Sequence, residues 1–298
     1  MDSITHTLFG LTLYGALKTE KETKRYNRAL LVTAIGASQI PDIDVVSQFW
    51  DTQGLYQMWH RGITHSIFIT PIWAFVFWGL VWLLFRIKDI RLFFIAWLAV
   101  FIHVTSDLFN AWGTGYLEPF SKIRITFGTI PIIDFVFWII MLGAFIIAKR
   151  SSIPSQKVFR TAWLLMAVHI AAQSLCGYII YEQHEENYEK IALSANFIPY
   201  HFTVIGKKDD IVEIVEDNLF QSEKLLYTLQ SSENADLDLL FRERPEAKTL
   251  YEWAPFVVIV DNDKHLGLYD PRFYRNGQSF LFEYIEKEGQ LDEMHVKN

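Results

Sequence analysis

Eight ionisable residues sit in or beside apolar stretches of this 298-residue chain: His6, Asp42, Asp44, His60, His65, His103, Asp107 and Asp134. Such groups are costly to place near a bilayer, so each calls for a partner, an ion or a function. His103 and Asp107 lie four residues apart, which on a helix points an imidazole and a carboxylate the same way. Asp42 and Asp44, following Pro41, can present two carboxylates at the frayed end of a helix, either to one ion or as a bridge between two. In His60-Arg-Gly-Ile-Thr-His65 two imidazoles flank Gly62, and Ser66 is expected to cap the next helix. Mixed imidazole and carboxylate donors suit zinc, manganese or iron, whereas magnesium and calcium prefer oxygen alone. The expected ligands are therefore His6, Asp42, Asp44, His60, His65, His103 and Asp107, holding one or two divalent ions, zinc foremost. Thr64, Ser66 and Asp134 are expected behind them, although Asp134 has an equal alternative in pairing with Lys122, Arg124 or Arg61. Arg61 is placed to hold an anionic phosphoryl group. His169 is expected to pack or to make an interhelical hydrogen bond; His184, His201, His265 and His295 belong to the tail.

Six transmembrane helices are expected to position these side chains. Ser66 to Phe85 is twenty uncharged residues with no polar face, bounded by Arg86 and Lys88, the length of a spanning helix. Phe127–Ala148 is interrupted only by Asp134; Leu92–Thr105, Ala162–Tyr181 and Ala29–Val46 follow the same pattern, and Ile4–Leu17 is the shortest. The start has no basic region and no small-x-small cleavage site, so a cleaved signal peptide is not expected. Loops 18–28, 86–91 and 149–160 carry twelve Lys and Arg, Lys21 among them, while loops 47–65 and 109–126 carry three. With six crossings this puts the basic loops in the cytoplasm and the N-terminus and tail outside. All eight ionisable residues then collect on the outer side of the membrane.

The charge balance divides the chain. Residues 1–181 hold 15 basic against 10 acidic residues, and residues 182–298 hold 12 against 24. The acidic tail argues against nucleic acid as a partner. The single cysteine, Cys176, excludes an intrachain disulfide or thiolate zinc site. In the tail, apolar and polar residues alternate over 201–205, 211–215, 256–260 and 279–283, with turn signals at 206–209 and 261–264. The expected fold class is thus an all-α polytopic membrane bundle over 1–181 followed by a small soluble β-rich (α+β) domain over 182–298, mainly antiparallel, with a helix over Lys248–Trp253.

Several motifs carry a resemblance. Met-Asp2-Ser-Ile-Thr5-His6, Gly36-Ala-Ser-Gln-Ile-Pro41-Asp42-Ile-Asp44, His60-Arg61-Gly62-Ile-Thr64-His65-Ser66 and His103-x-x-x-Asp107 resemble the YdjM-like family of bacterial membrane-bound, predicted metal-dependent hydrolases, and within it the YfhP type of bacilli. Trp112-Gly-Thr-Gly115, Pro119-Phe-Ser121 and Asp134 also fit, and the resemblance covers residues 1 to about 148. It implies hydrolysis, with the seven His and Asp ligands as the site.

The expected activity is hydrolysis of a phosphoester or ester bond by metal-activated water, with Asp107 or Asp44 bridging ions or accepting a proton. The expected partner is a membrane lipid or lipid-linked envelope precursor, attracted by Arg61, Lys122 and Arg124. No Gly-x-Ser-x-Gly elbow, Cys-His pair or His-Glu-x-x-His motif offers another route. A metal or solute transporter predicts ligands at mid-membrane depth. A non-catalytic sensor or scaffold predicts bound metal without turnover.

Overall fold

The structure is a computed structural model and describes residues 1–18 and 22–287, so Lys21 and His295 lie outside the described residues. The N-terminal half is helical. Its main helices are α1 (Ser3–Leu17), α2 (Lys24–Ala37), α4 (Thr70–Phe85), α5 (Ile90–Ser106), α6 (Phe135–Arg150) and α7 (Ser155–Glu185). A 3-10 helix, Ile40–Phe49, follows α2; the short α3 (Tyr56–Trp59) and a single 3-10 turn, Ile63–His65, lie between it and α4.

Alanines set the spacing inside the bundle. Ala34, Ala37, Ala74, Ala96 and Ala99 are buried with Leu13, Val100 and Val104 between α1, α2, α4 and α5, where small side chains let helix backbones approach. Gly10 marks a close approach of α1 to α2: a Cβ there would come within 2.7 Å of the Ala34 carbonyl and the Ser38 hydroxyl. The outer faces are apolar as well, with Leu84 71% and Ile139 71% exposed. Water would penalise such helices, but lipid does not.

Helix length falls short of six full crossings. Among the described residues, two helices are long and apolar enough to cross a membrane, Ile90–Phe109 and Ser155–Glu185. Two bent pairs raise the number to four: Lys24–Ala37 with Ile40–Phe49, bent by 52°, and Tyr56–His65 with Thr70–Phe85, bent by 77°. At 15 and 16 residues, α1 and α6 reach only about 22–24 Å, against a hydrocarbon core of about 30 Å. The apolar run expected from Phe127 is not helical until Phe135, because Pro131 precedes it and Asp134 caps the helix by accepting the Phe137 N–H at 3.0 Å. Ser66 does not cap α4, which starts four residues later; its hydroxyl donates to the Glu118 carbonyl at 2.5 Å.

The tail is α+β. Strands β1 (Lys190–Ala195), β2 (His201–Lys208), β3 (Ile211–Asn218) and β4 (Gln221–Gln230) form an antiparallel sheet in that order. After α8 (Leu237–Glu243) and α9 (Pro245–Trp253), strands β5 (Val258–Asp261), β6 (His265–Tyr269) and β9 (Phe282–Glu286) form a second sheet, and β7 (Tyr274–Arg275) pairs with β8 (Gln278–Ser279). Ile205, Val212 and Ile214 from one sheet bury against Val258 and Tyr269 from the other and against Phe256 just before β5. Several contacts fasten tail to bundle, two of them through α7 and Gly128. α7 runs 31 residues, about 46 Å, so it outlasts a bilayer core and its end packs on β1, β2 and β3. Gly128, at φ +63, lets a loop of the bundle touch β1, where its carbonyl accepts the Ala195 N–H at 2.7 Å.

Candidate metal centre

Three separate stretches deliver the ligands. The 52° bend after α2 turns Asp42 and Asp44 inward, the turn at Ile63–His65 presents His65, and the end of α5 presents His103 one turn before Asp107. Asp42, His65, His103 and Asp107 each bring one donor atom into a group whose atoms all lie within 4.8 Å. His65 Nε2 is 3.3 Å from Asp42 Oδ1 and 3.4 Å from Asp107 Oδ2, and His103 Nε2 is 3.5 and 3.6 Å from the same oxygens. Four ligands at about 2.0–2.2 Å around a tetrahedral ion stand about 3.3–3.6 Å apart, so the spacing fits such an ion.

Hydrogen bonding around the cage settles which nitrogens face it. The His103 Nδ1–H donates to the Ser38 carbonyl at 2.7 Å, leaving Nε2 as a lone pair. Thr64 donates its hydroxyl to Asp44 Oδ2 at 2.7 Å and therefore accepts from His65 Nδ1 at 3.0 Å, which leaves that Nε2 bare too. The two Nε2 atoms face each other at 3.1 Å. Two buried lone pairs with two carboxylate oxygens beside them repel unless a cation lies between, and this donor set fits a divalent metal.

The remaining expected residues have different placements. His6 is buried, stacked on His103 with ring centroids 3.6 Å apart, and its Nε2 is 3.4 Å from Asp107 Oδ1. Neither of its ring nitrogens has a hydrogen-bond partner. Asp44 is a hub: it accepts from Thr64, from the Arg61 N–H at 3.0 Å, and pairs with His60 Nδ1 at 2.9 Å. Asp42, Asp44 and His60 form a second possible ion group, so Asp42 belongs to both. Arg61, at φ +57, is buried and turned inward, with Nε 3.3 Å from Asp107 Oδ2 and its terminal nitrogens on Asn110 and the Met1 carbonyl. The Met1 amino group also contacts Asp107. Asp134 stands apart from the cage. It pairs with His169 Nε2 at 3.0 Å rather than with Lys122, Arg124 or Arg61, and this supplies the interhelical bond expected of His169.

Some contributors are missed by sequence reasoning. The Ser38 carbonyl has no side-chain signature, and Asn110, which fixes Arg61, is signalled only by its place three residues after Asp107. Trp112 and Arg124, read from the sequence as part of the resemblance and as an attractor of headgroups, make other contacts here: Trp112 sets its ring 6.2 Å from His60, and Arg124 donates to the His60 carbonyl at 2.7 Å. A cleft of about 610 Å3 opens onto the centre between Gln39, Asp42, Tyr56 and His60.

Comparison with known proteins covers the same segment. The YdjM inner membrane protein family matches residues 1–181. "Uncharacterized protein YfhP" of Bacillus subtilis (strain 168) is 32% identical over 158 residues, 52% of this chain and 48% of that protein. The chain therefore spans about half the length of that relative. No solved structure matches. The bent helices and all four cage ligands fall inside the matched residues, and the chain belongs to the YdjM inner membrane protein family.

Proposed function

We propose that the chain is a multi-pass membrane hydrolase that uses one or two divalent ions, zinc foremost, to cleave a phosphoester or ester bond of a lipid or envelope precursor. The observation that carries this reading is the pair of bare Nε2 atoms of His65 and His103, 3.1 Å apart and flanked by Asp42 and Asp107. A divalent ion held there would activate water and polarise a phosphoryl or acyl oxygen. Asp42, shared by both groups, would be the carboxylate common to two ions. With one ion, held by Asp42, His65, His103 and Asp107, His60 would stay free of metal, fixed by Asp44 at the cleft, to protonate a leaving oxygen; with two, it would hold the second ion beside Asp42 and Asp44. Arg61 holds Asp107 in register instead of reaching the substrate. In this reading α1 and α6 lie in the bilayer beside α7, giving six membrane helices, and the basic loops keep the centre and the tail extracytoplasmic.

The test is metal content of the detergent-purified full chain beside Asp107→Asn and His65→Ala, followed by phosphate and fatty-acid release from lipid phosphates and esters. The reading expects about one or two ions per wild-type chain and loss of both metal and turnover in each variant. Full occupancy in the variants would overturn the ligand set. A second reading, a metal sensor, is favoured by one observation: Trp112 links His60 to Trp253 and Phe273 of the tail, at 4.9 and 5.5 Å between centroids. Metal loading that protects the tail from protease while no lipid is cleaved would select it.

A further inference from the structure

Two adjoining hollows lie where the bundle meets the tail. The larger, about 500 Å3, is mostly apolar and is walled by Phe109, Phe127, Gly177, Tyr181, Ile191 and Leu193. The smaller, about 240 Å3, is walled by Trp112, Lys122, Arg124, Glu252 and Trp253. Thr126, Pro255 and Arg272 stand in both walls, so each hollow continues the other.

The smaller hollow has donors in excess. Arg124 gives its terminal nitrogens to the neutral carbonyls of Met58, His60 and Gly113 at 3.1, 2.7 and 3.2 Å. Its Nε is buried without a hydrogen-bond partner, as are the indole N–H groups of Trp112 and Trp253; Trp253 is 3% exposed. Burial without a bonded carboxylate pulls the Arg124 guanidinium down to about 10. Arg272 is already neutralised by Asp270, with Nε–O distances of 2.9 and 3.1 Å. The other cations of the hollow are Lys122 and Arg124, neither of them in a salt bridge among the described residues. Glu252, exposed and 3.9 Å from Lys248, is the carboxylate in the wall, and Glu118 beyond it also acts on both cations. Buried donors without partners, beside two cations outside any salt bridge, call for an anionic acceptor.

We propose that the two hollows form one binding site for an anionic lipid, an acyl chain filling the larger and a phosphate-bearing headgroup the smaller. The site goes beyond the hydrolase reading and does not depend on it. A free phosphate would satisfy the donors but leave the apolar hollow empty, and that hollow is walled by the end of α7, a helix long enough to leave a membrane. Its volume falls in the range of about 300–1,000 Å3 usual for bound small molecules. Because Arg124 also holds the His60 carbonyl, the headgroup would rest on the back of the loop that carries His60 and His65.

The experiment measures binding of phosphatidylglycerol, phosphatidylcholine and inorganic phosphate to the delipidated full chain in detergent by native mass spectrometry. The variants are Lys122→Glu, at an exposed position, and Ser174→Phe, which fills the apolar hollow. Phosphatidylglycerol is expected to bind about tenfold more tightly than phosphatidylcholine, the worth of one charge-assisted bond. Lys122→Glu should remove that preference, and Ser174→Phe should weaken both lipids. If Ser174→Phe does not fold, Ile191→Trp makes the same test from β1. Equal binding of both lipids to wild type and variants would mean unspecific annular contact and overturn the site. Phosphate binding as tight as the lipid's and unaffected by Ser174→Phe would overturn the lipid as occupant.

Discussion

At the scale of single residues, the centre rests on proton positions. Thr64 and the Ser38 carbonyl each engage an Nδ1 atom, and that is why both Nε2 atoms arrive unprotonated at one point. Thr64→Ala removes one of these supports and leaves every ligand in place. Metal affinity should fall by about 10- to 100-fold without vanishing, read by competition with a chelator. Acid should act more strongly: protons compete with the ion for the donor atoms, so bound metal is expected to fall as the pH is lowered and to return on raising it. The imidazoles and carboxylates were legible in the sequence because such residues beside apolar runs are expensive. The inward turn of Arg61 was not, since its left-handed backbone is imposed by Asp44, Asn110 and Asp107, residues far away in the chain.

Among elements, the bends matter more than the helices. A straight α2 would carry Asp42 and Asp44 onward along its axis; the change to a 3-10 helix at Ile40, with Pro41 in its first turn, swings them towards α5. The sequence signalled the break through Pro41, but not its angle, which depends on packing against α4 and α5. Asp134 shows the opposite case. It looked like a helical residue near the ligands, yet it caps α6 and ties it to α7 through His169. Asp134→Ala should therefore cost about 1–3 kcal/mol in thermal unfolding while metal content stays at the wild-type level. Loss of metal from a still-folded variant would return Asp134 to the centre. In the tail, β2, β3 and β5 were legible from their alternation, whereas β4 was not: almost all its residues are exposed, so burial wrote no pattern into it.

At the scale of the whole molecule, the division into helical bundle and β-rich tail was legible in charge and hydropathy. The full-length span count was not, because α1 and α6 are shorter than a bilayer core and two other candidates are bent. The way the halves dock also left no signal. Arg272 of the tail, buried on Asp270, donates to the Ala111 carbonyl of the bundle at 2.5 Å. Arg272→Ala strands Asp270 inside the junction and should destabilise by about 3–5 kcal/mol, appearing as faster proteolysis near residues 186–189 before the bundle itself unfolds. The cage has a further consequence for the order in which the protein is made. Its four donors all come from residues 42–107, upstream of α6, α7 and both sheets. A nascent chain still on the ribosome would already carry all four donors, so an ion bound there would be loaded before synthesis of the tail.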